Sequence, residues 1–165
     1  MARGRGQAAA DGELVAESWL CHSEAETVAL GRALARRVGA DGVLLLEGPL
    51  GAGKTVLTRG VAEELGVEPD QIQSPTFTLV HQHLGRDGAV LYHLDLYRLA
   101  PEEVDSIGVA EILDGPGVKV VEWAERLLES PSNALRVVAS HTAAGTRRFE
   151  IDPKPTRAGG RAADD

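Results

Sequence analysis

The stretch Val43-Leu44-Leu45-Leu46-Glu47 runs directly into Gly48-Pro49-Leu50-Gly51-Ala52-Gly53-Lys54-Thr55. The second half is a complete G-x-x-x-x-G-K-[ST] motif, and the first is a short apolar run of the kind that forms a buried strand. The residue types follow from the chemistry. Glycines let backbone N–H groups converge on phosphate oxygens, Lys54 can reach β- and γ-phosphates, and the Thr55 hydroxyl can ligate Mg²⁺. A helix opening at Lys54 adds its positive N-terminal end. The competing reading is a glycine-rich turn that matches by accident, which a chain of this composition produces in about 0.3% of cases. Gly48, Leu50, Gly51, Ala52, Gly53, Lys54, Thr55 and Val56 are therefore expected to hold nucleotide phosphates.

Working outward, Leu57, Val61 and Leu65 recur every fourth residue and Gly66 follows, which predicts a helix over 54–65. Upstream, Ser23 with Glu26 forms a capping box ahead of Val28, Ala29, Leu34 and Val38, and Gly39 ends the pattern, so a second helix is expected over 24–38. An edge strand over 14–20 precedes it. Residues 77–83 and 89–95 read as a hairpin joined by Leu84-Gly85-Arg86-Asp87-Gly88. Pro101 with Glu102 and Glu103 suits a first helical turn, and a short helix over 109–113 leads to the Asp114-Gly115-Pro116-Gly117 turn. A buried strand over 118–122, a short helix over 123–129 and a strand pair, 135–140 with 148–151, complete the pattern. The sum is α/β: a P-loop NTPase-like sheet, mainly parallel at its core, with antiparallel strands and helices on both faces.

A chain of 165 residues with 43% apolar side chains supports one core. That single domain is expected over 13–152, between tails 1–12 and 153–165 that lack apolar periodicity and read as disordered. The balance of 17 basic against 25 acidic side chains, formally −8, argues against a broad electrostatic footprint on nucleic acid or anionic lipid. No DNA binding is expected, and contact with RNA should be local or made through a partner. Cys21 is the sole cysteine, which excludes an intrachain disulfide and a cysteine-based zinc site. No stretch approaches the roughly 18 apolar residues of a membrane span, and the first ten residues lack an apolar signal core, so a cytoplasmic protein is expected.

A nucleotide-bound Mg²⁺ needs an acidic group beside Thr55, at the carboxyl end of a neighbouring strand. Asp95 ends the run Val90-Leu91-Tyr92-His93-Leu94, and Glu122 ends Val118-Lys119-Val120-Val121. Acids at solvated strand ends are common, so these residues alone leave both open. Ser74-Pro75-Thr76 begins a loop whose hydroxyls could sense a γ-phosphate, though a proline turn leading into a strand is the simpler reading. His81 and His83 share a strand face without a third ligand, so no metal site is expected there. Trp123, next to Glu122, is by type more often core than ligand contact.

In order and spacing, Gly48 to Thr55, Ser74-Pro75-Thr76-Phe77, His93-Leu94-Asp95-Leu96-Tyr97-Arg98 and Glu122-Trp123 resemble the TsaE (YjeE) family of bacterial ATPases, over about residues 14–151. Glu26-Thr27, Gly31 and Leu34-Ala35 also look like that family's first helix. The resemblance implies ATP and Mg²⁺ as cofactors and hydrolysis of ATP to ADP and phosphate, weak alone and stimulated by partners. It implies support of N6-threonylcarbamoyladenosine formation in tRNA through TsaB and TsaD type proteins, with tRNA contacted indirectly. By the same resemblance Lys54, Asp95 and Thr76 serve catalysis, Thr55 and Glu122 hold the metal, Trp123 contacts nucleotide, and Arg98 or a partner residue stabilises charge. Two positions depart from the family pattern. Pro49 stands where Asp is usual, removing one N–H from the loop and fixing φ, and Ala124 stands where Pro or Gly is frequent. A small-molecule kinase would use the same loop but would also show an arginine-rich lid, whereas Arg147 and Arg148 lie near the terminus. A GTPase needs N-K-x-D, and Asn133, the only asparagine, precedes alanine. The non-enzyme alternative is a nucleotide-gated binding module without significant turnover.

Overall fold

The computed structural model describes residues 2–4, 17–73, 79–142 and 145–152. Eight strands are β1 (Ala2–Gly4), β2 (Glu17–Cys21), β3 (Val43–Glu47), β4 (Val80–Leu84), β5 (Val90–Asp95), β6 (Val118–Glu122), β7 (Ala134–His141) and β8 (Arg147–Asp152). Helices are α1 (Glu24–Val38), α2 (Lys54–Leu65), α3 (Pro101–Val104) and α4 (Val109–Asp114). The strands form one mixed sheet in the order β1-β2-β8-β7-β3-β6-β5-β4. Its centre is parallel, with β3 between β7 and β6 and β5 beside β6, while the outer pairs are antiparallel.

The central strand explains itself from composition. Val43 to Leu46 are all buried, as a strand covered on both faces requires, and alternate residues feed two cores. Leu44 and Leu46 join Leu30, Leu34, Leu57, Val61, Phe149 and Ile151 under α1 and α2. Val43 and Leu45 join Leu94, Val104, Val109, Leu113 and Val121 on the side of α3 and α4. Helices thus cover both faces, and the sheet is the α/β arrangement expected from the sequence.

Helix α1 starts where the Ser23 side chain accepts the Glu26 N–H at 3.2 Å, and stops at Gly39, whose φ is 77°. Its buried positions, Thr27, Leu30, Gly31, Leu34 and Ala35, trace one stripe against α2. The two helices meet through Gly31 and Gly60. A Cβ on Gly31 would strike the Leu57 carbonyl oxygen, and one on Gly60 the Val28 carbonyl oxygen, so this crossing admits no side chain.

Two expectations need correction, and the tail over 153–165, the first residues of the edge strand over 14–20 and those of the hairpin fall outside the described residues. The short helix over 123–129 is only a 3₁₀ turn, Ala124–Arg126: Trp123 takes a left-handed φ of 59° and Leu127 is extended, so helical backbone cannot propagate either way. The stretch expected as a disordered tail, 1–12, contributes β1, antiparallel to β2. Pairing to a free sheet edge uses backbone groups and needs no apolar periodicity. The hairpin is present as β4 and β5, joined through a 3₁₀ turn in which Asp87 has φ 55°; its first residues, 77 and 78, are not described. No helix among the described residues is long and apolar enough to cross a membrane.

Glu47, which leads into the loop, is fixed from β7. Arg136 donates from Nε and Nη2 to the two Glu47 carboxylate oxygens at 2.8 and 2.7 Å. This fork-to-fork pair is charge-assisted but partly solvated. Arg136→Ala is expected to lower stability by about 1 kcal/mol in chemical denaturation, with the slope unchanged. An unchanged midpoint would show that the pair contributes nothing.

Candidate functional site

The loop after β3 reaches conformations that side chains disfavour: Gly48, Gly51 and Gly53 have φ of 133°, 72° and 101°. Gly53 is the residue before α2, and no side chain caps that helix. Its first-turn N–H groups are left for solvent or a ligand, at the end where the helix dipole is positive. Pro49 takes part in the turn through its carbonyl, which accepts the Ala52 N–H at 3.2 Å.

A cleft of about 430 Å³ opens above the loop. Leu50, Gly51, Ala52, Gly53, Lys54, Thr55, Val56, Asp95, Glu122 and Trp123 all line it. Gly48 is tied to the same place through Lys54, whose Nζ donates to the Gly48 carbonyl and, at 3.3 Å, to that of Pro49. Every expected site residue but one is therefore gathered at the carboxyl ends of β3, β5 and β6. The exception, Thr76, lies with the rest of 74–78 outside the described residues.

Sheet register brings the two candidate acids side by side, since Asp95 pairs with Glu122 across β5 and β6. Both are nearly fully buried. They differ in their partners. Asp95 Oδ1 accepts the Tyr97 N–H at 2.9 Å, which folds the chain out of β5. Glu122 Oε1 accepts the Thr55 hydroxyl at 3.0 Å and lies 3.0 Å from His93 Nε2. The carboxylate in contact with the loop threonine is thus Glu122. Burial pushes the Lys54 ammonium below its ordinary lysine value, against the opposing pull of Glu122, Glu125 and Asp95.

Trp123 is not simply core. Its left-handed backbone turns the half-buried ring into the cleft wall, where it stacks on Tyr97 with centroids 4.7 Å apart and carries Lys54 Nζ 3.9 Å from its own centroid. Lys54 is thereby held by two carbonyls and an aromatic face. Arg98 also lines the cleft.

Sequence reasoning missed a wall of this cleft. Ser23, Glu24 and Thr27 at the start of α1, with Gly145 and Arg147 at the turn into β8, also line it. The available signal was Thr27, a hydroxyl on the otherwise apolar stripe of α1. Arg147, which in the sequence lies near the terminus, is brought in because β8 returns antiparallel beside β7.

The donor set suits a hard cation shared with a phosphate. Mg²⁺ in nucleotide sites keeps waters and takes one or two protein oxygens plus phosphate oxygens, and the Thr55 hydroxyl and Glu122 carboxylate are such oxygens within hydrogen-bond distance of each other. No group of three or more His, Cys, Asp or Glu side chains among the described residues could hold a metal ion.

Fold and loop together define a phosphate-loop α/β protein, with its cleft at the carboxyl ends of the parallel strands. The comparisons with known proteins narrow the class. The family model described as "Threonylcarbamoyl adenosine biosynthesis protein TsaE" matches residues 21–149, and the chain belongs to this family. A tRNA threonylcarbamoyladenosine biosynthesis protein TsaE of Nostoc sp. is 42% identical over 132 residues, covering 77% of this chain and 80% of its own. The protein of that name from Bacillus subtilis is 41% identical, over 73% and 75% of the two chains. Among solved structures, YdiB of Bacillus subtilis matches with a TM-score of 0.65 at 33% identity, over 84% of this chain and 86% of its own.

Proposed function

We propose that the chain binds ATP with Mg²⁺ in this cleft and hydrolyses it to ADP and phosphate, feebly alone, in support of N6-threonylcarbamoyladenosine formation in tRNA. The observation that carries the reading is the 3.0 Å contact of Thr55 with Glu122 beside Lys54, at the mouth of a glycine loop that opens a helix. Family membership supplies the process. Its working partners, in this reading, are TsaB and TsaD type proteins in the cytoplasm, and the formal charge of −8 suits action on proteins better than broad contact with RNA.

In the mechanism, the loop N–H groups and Lys54 take up the charge of the β- and γ-phosphates. Lys54 would exchange the Gly48 and Pro49 carbonyls for phosphate oxygens, and Thr55, its hydroxyl freed from Glu122, would hold the metal together with Glu122. When bound, Mg²⁺ neutralises developing charge on the terminal phosphates. Glu122 holds the metal side, Asp95 sits next to it to orient a water, Thr76 belongs to a loop that senses the γ-phosphate, and Trp123 packs on the nucleotide. Hydrolysis depends mainly on positioning and charge neutralisation, and a partner supplies further positive charge beside Arg98.

Steady-state phosphate release, measured alone and with cognate TsaB and TsaD, tests this. The expected result is low basal turnover rising at least about tenfold with the partners. Equal turnover with and without them would overturn the partner-directed reading, and transfer of phosphate to a metabolite would replace it with a kinase.

A further inference from the structure

The sequence gives His93 no task, yet it is completely buried and touches the metal-side carboxylate. Register explains how. His93 lies opposite Val120, one step down the same sheet face from the Asp95 and Glu122 pair, so His93 and Glu122 are diagonal neighbours within reach of each other. Nε2 stands 3.0 Å from Glu122 Oε1, and Nδ1 has no hydrogen-bond partner among the described residues. Among the described residues the ring's polar contact is therefore with Glu122 alone. An apolar residue would fill the same place without stranding a ring nitrogen, so packing does not explain a histidine here.

Thr55 and His93 address the same oxygen, Oε1. If Thr55 turns to a metal, Glu122 loses one of its two side-chain bonds and keeps the other. We infer that His93 is a positioning residue: its Nε2–H donates to Glu122 Oε1 and holds the carboxylate in place when Thr55 leaves it for Mg²⁺. The unpartnered Nδ1 agrees with the Nε2–H tautomer, because a buried proton on Nδ1 would have no acceptor among the described residues. Groups that orient metal ligands in this way are typically worth about 10- to 100-fold in metal affinity. The inference rests on the proposed role of Glu122 at the metal.

Two measurements test it. In the wild-type protein, nitrogen-15 NMR of the imidazole is expected to show His93 as the Nε2–H tautomer, with its proton protected from exchange both free and with ADP and Mg²⁺. An Nδ1–H tautomer, or loss of the protected proton on adding ADP and Mg²⁺, would overturn the inference without any variant being made. In the second, ADP affinity is titrated against Mg²⁺ for His93→Leu, His93→Gln and Glu122→Gln. His93→Leu is expected to raise the Mg²⁺ concentration for half-maximal tightening about tenfold while Mg²⁺-free ADP affinity is unchanged, and His93→Gln, which keeps a donor near the Nε2 position, restores most of the loss. An unchanged Mg²⁺ requirement in His93→Leu with a raised one in Glu122→Gln overturns the role of His93 alone. So does an equal loss with and without Mg²⁺. An unchanged requirement in Glu122→Gln overturns the metal role of Glu122, and this inference with it. Should His93→Leu not fold, the wild-type spectrum decides.

Discussion

Lys54→Ala is expected to lower ATP hydrolysis by at least about 100-fold, to the blank of the assay, while the protein keeps a cooperative thermal transition. The ammonium is buried, and its own bonds go to the loop carbonyls of Gly48 and Pro49 and to the Trp123 face. Lys54 is in neither apolar core, and of its contacts only Trp123 borders one. Its removal therefore takes away the cation proposed to meet the phosphates and leaves the packing of the sheet intact. A variant that hydrolyses ATP normally would remove the loop from the account. A variant with no folding transition would show that Lys54 serves structure instead.

Gly60→Ala is expected to destabilise the protein by about 2–3 kcal/mol, lowering the melting temperature by roughly 5–10 °C. The sign is the informative part. In a helix interior, alanine in place of glycine normally stabilises by up to about 1 kcal/mol. Here the added methyl would enter the Val28 carbonyl oxygen and press on Gly31 across the α1 and α2 crossing, and backbone cannot yield as a flexible side chain would. Helix α1 also carries Ser23, Glu24 and Thr27 into the cleft, so parting the helices disturbs the site. A melting temperature that rises in Gly60→Ala would mean that the crossing is looser than described.

The central elements could be read from sequence because each rests on local physics. Ser23 and Gly39 bracket α1, Gly53 and Gly66 bracket α2, and the unbroken apolar run Val43 to Leu46 can only be a strand covered on both faces. Less legible was whatever depends on neighbours distant in sequence. The left-handed turn at Trp123 replaces a helix that periodicity favoured, and no propensity marks a tryptophan for that conformation. β1 pairs through backbone groups, which leave no side-chain pattern. The wall of Ser23, Glu24, Thr27, Gly145 and Arg147 is assembled by the return of β8 and the packing of α1, and both are tertiary events. At the acids, residue type left Asp95 and Glu122 equivalent, and only the register of β5 on β6 and the direction of the Thr55 hydroxyl separate them.

The central claim is that this cleft is a nucleotide site with its metal between Thr55 and Glu122. A crystal structure with a non-hydrolysable ATP analogue and Mg²⁺ tests it most directly. The account predicts terminal phosphates within hydrogen-bond reach of the 48–55 loop, Lys54 released from the Gly48 and Pro49 carbonyls onto phosphate, and Mg²⁺ on the Thr55 oxygen facing Glu122. Nucleotide bound elsewhere, or a metal held away from Thr55 and Glu122, would contradict it.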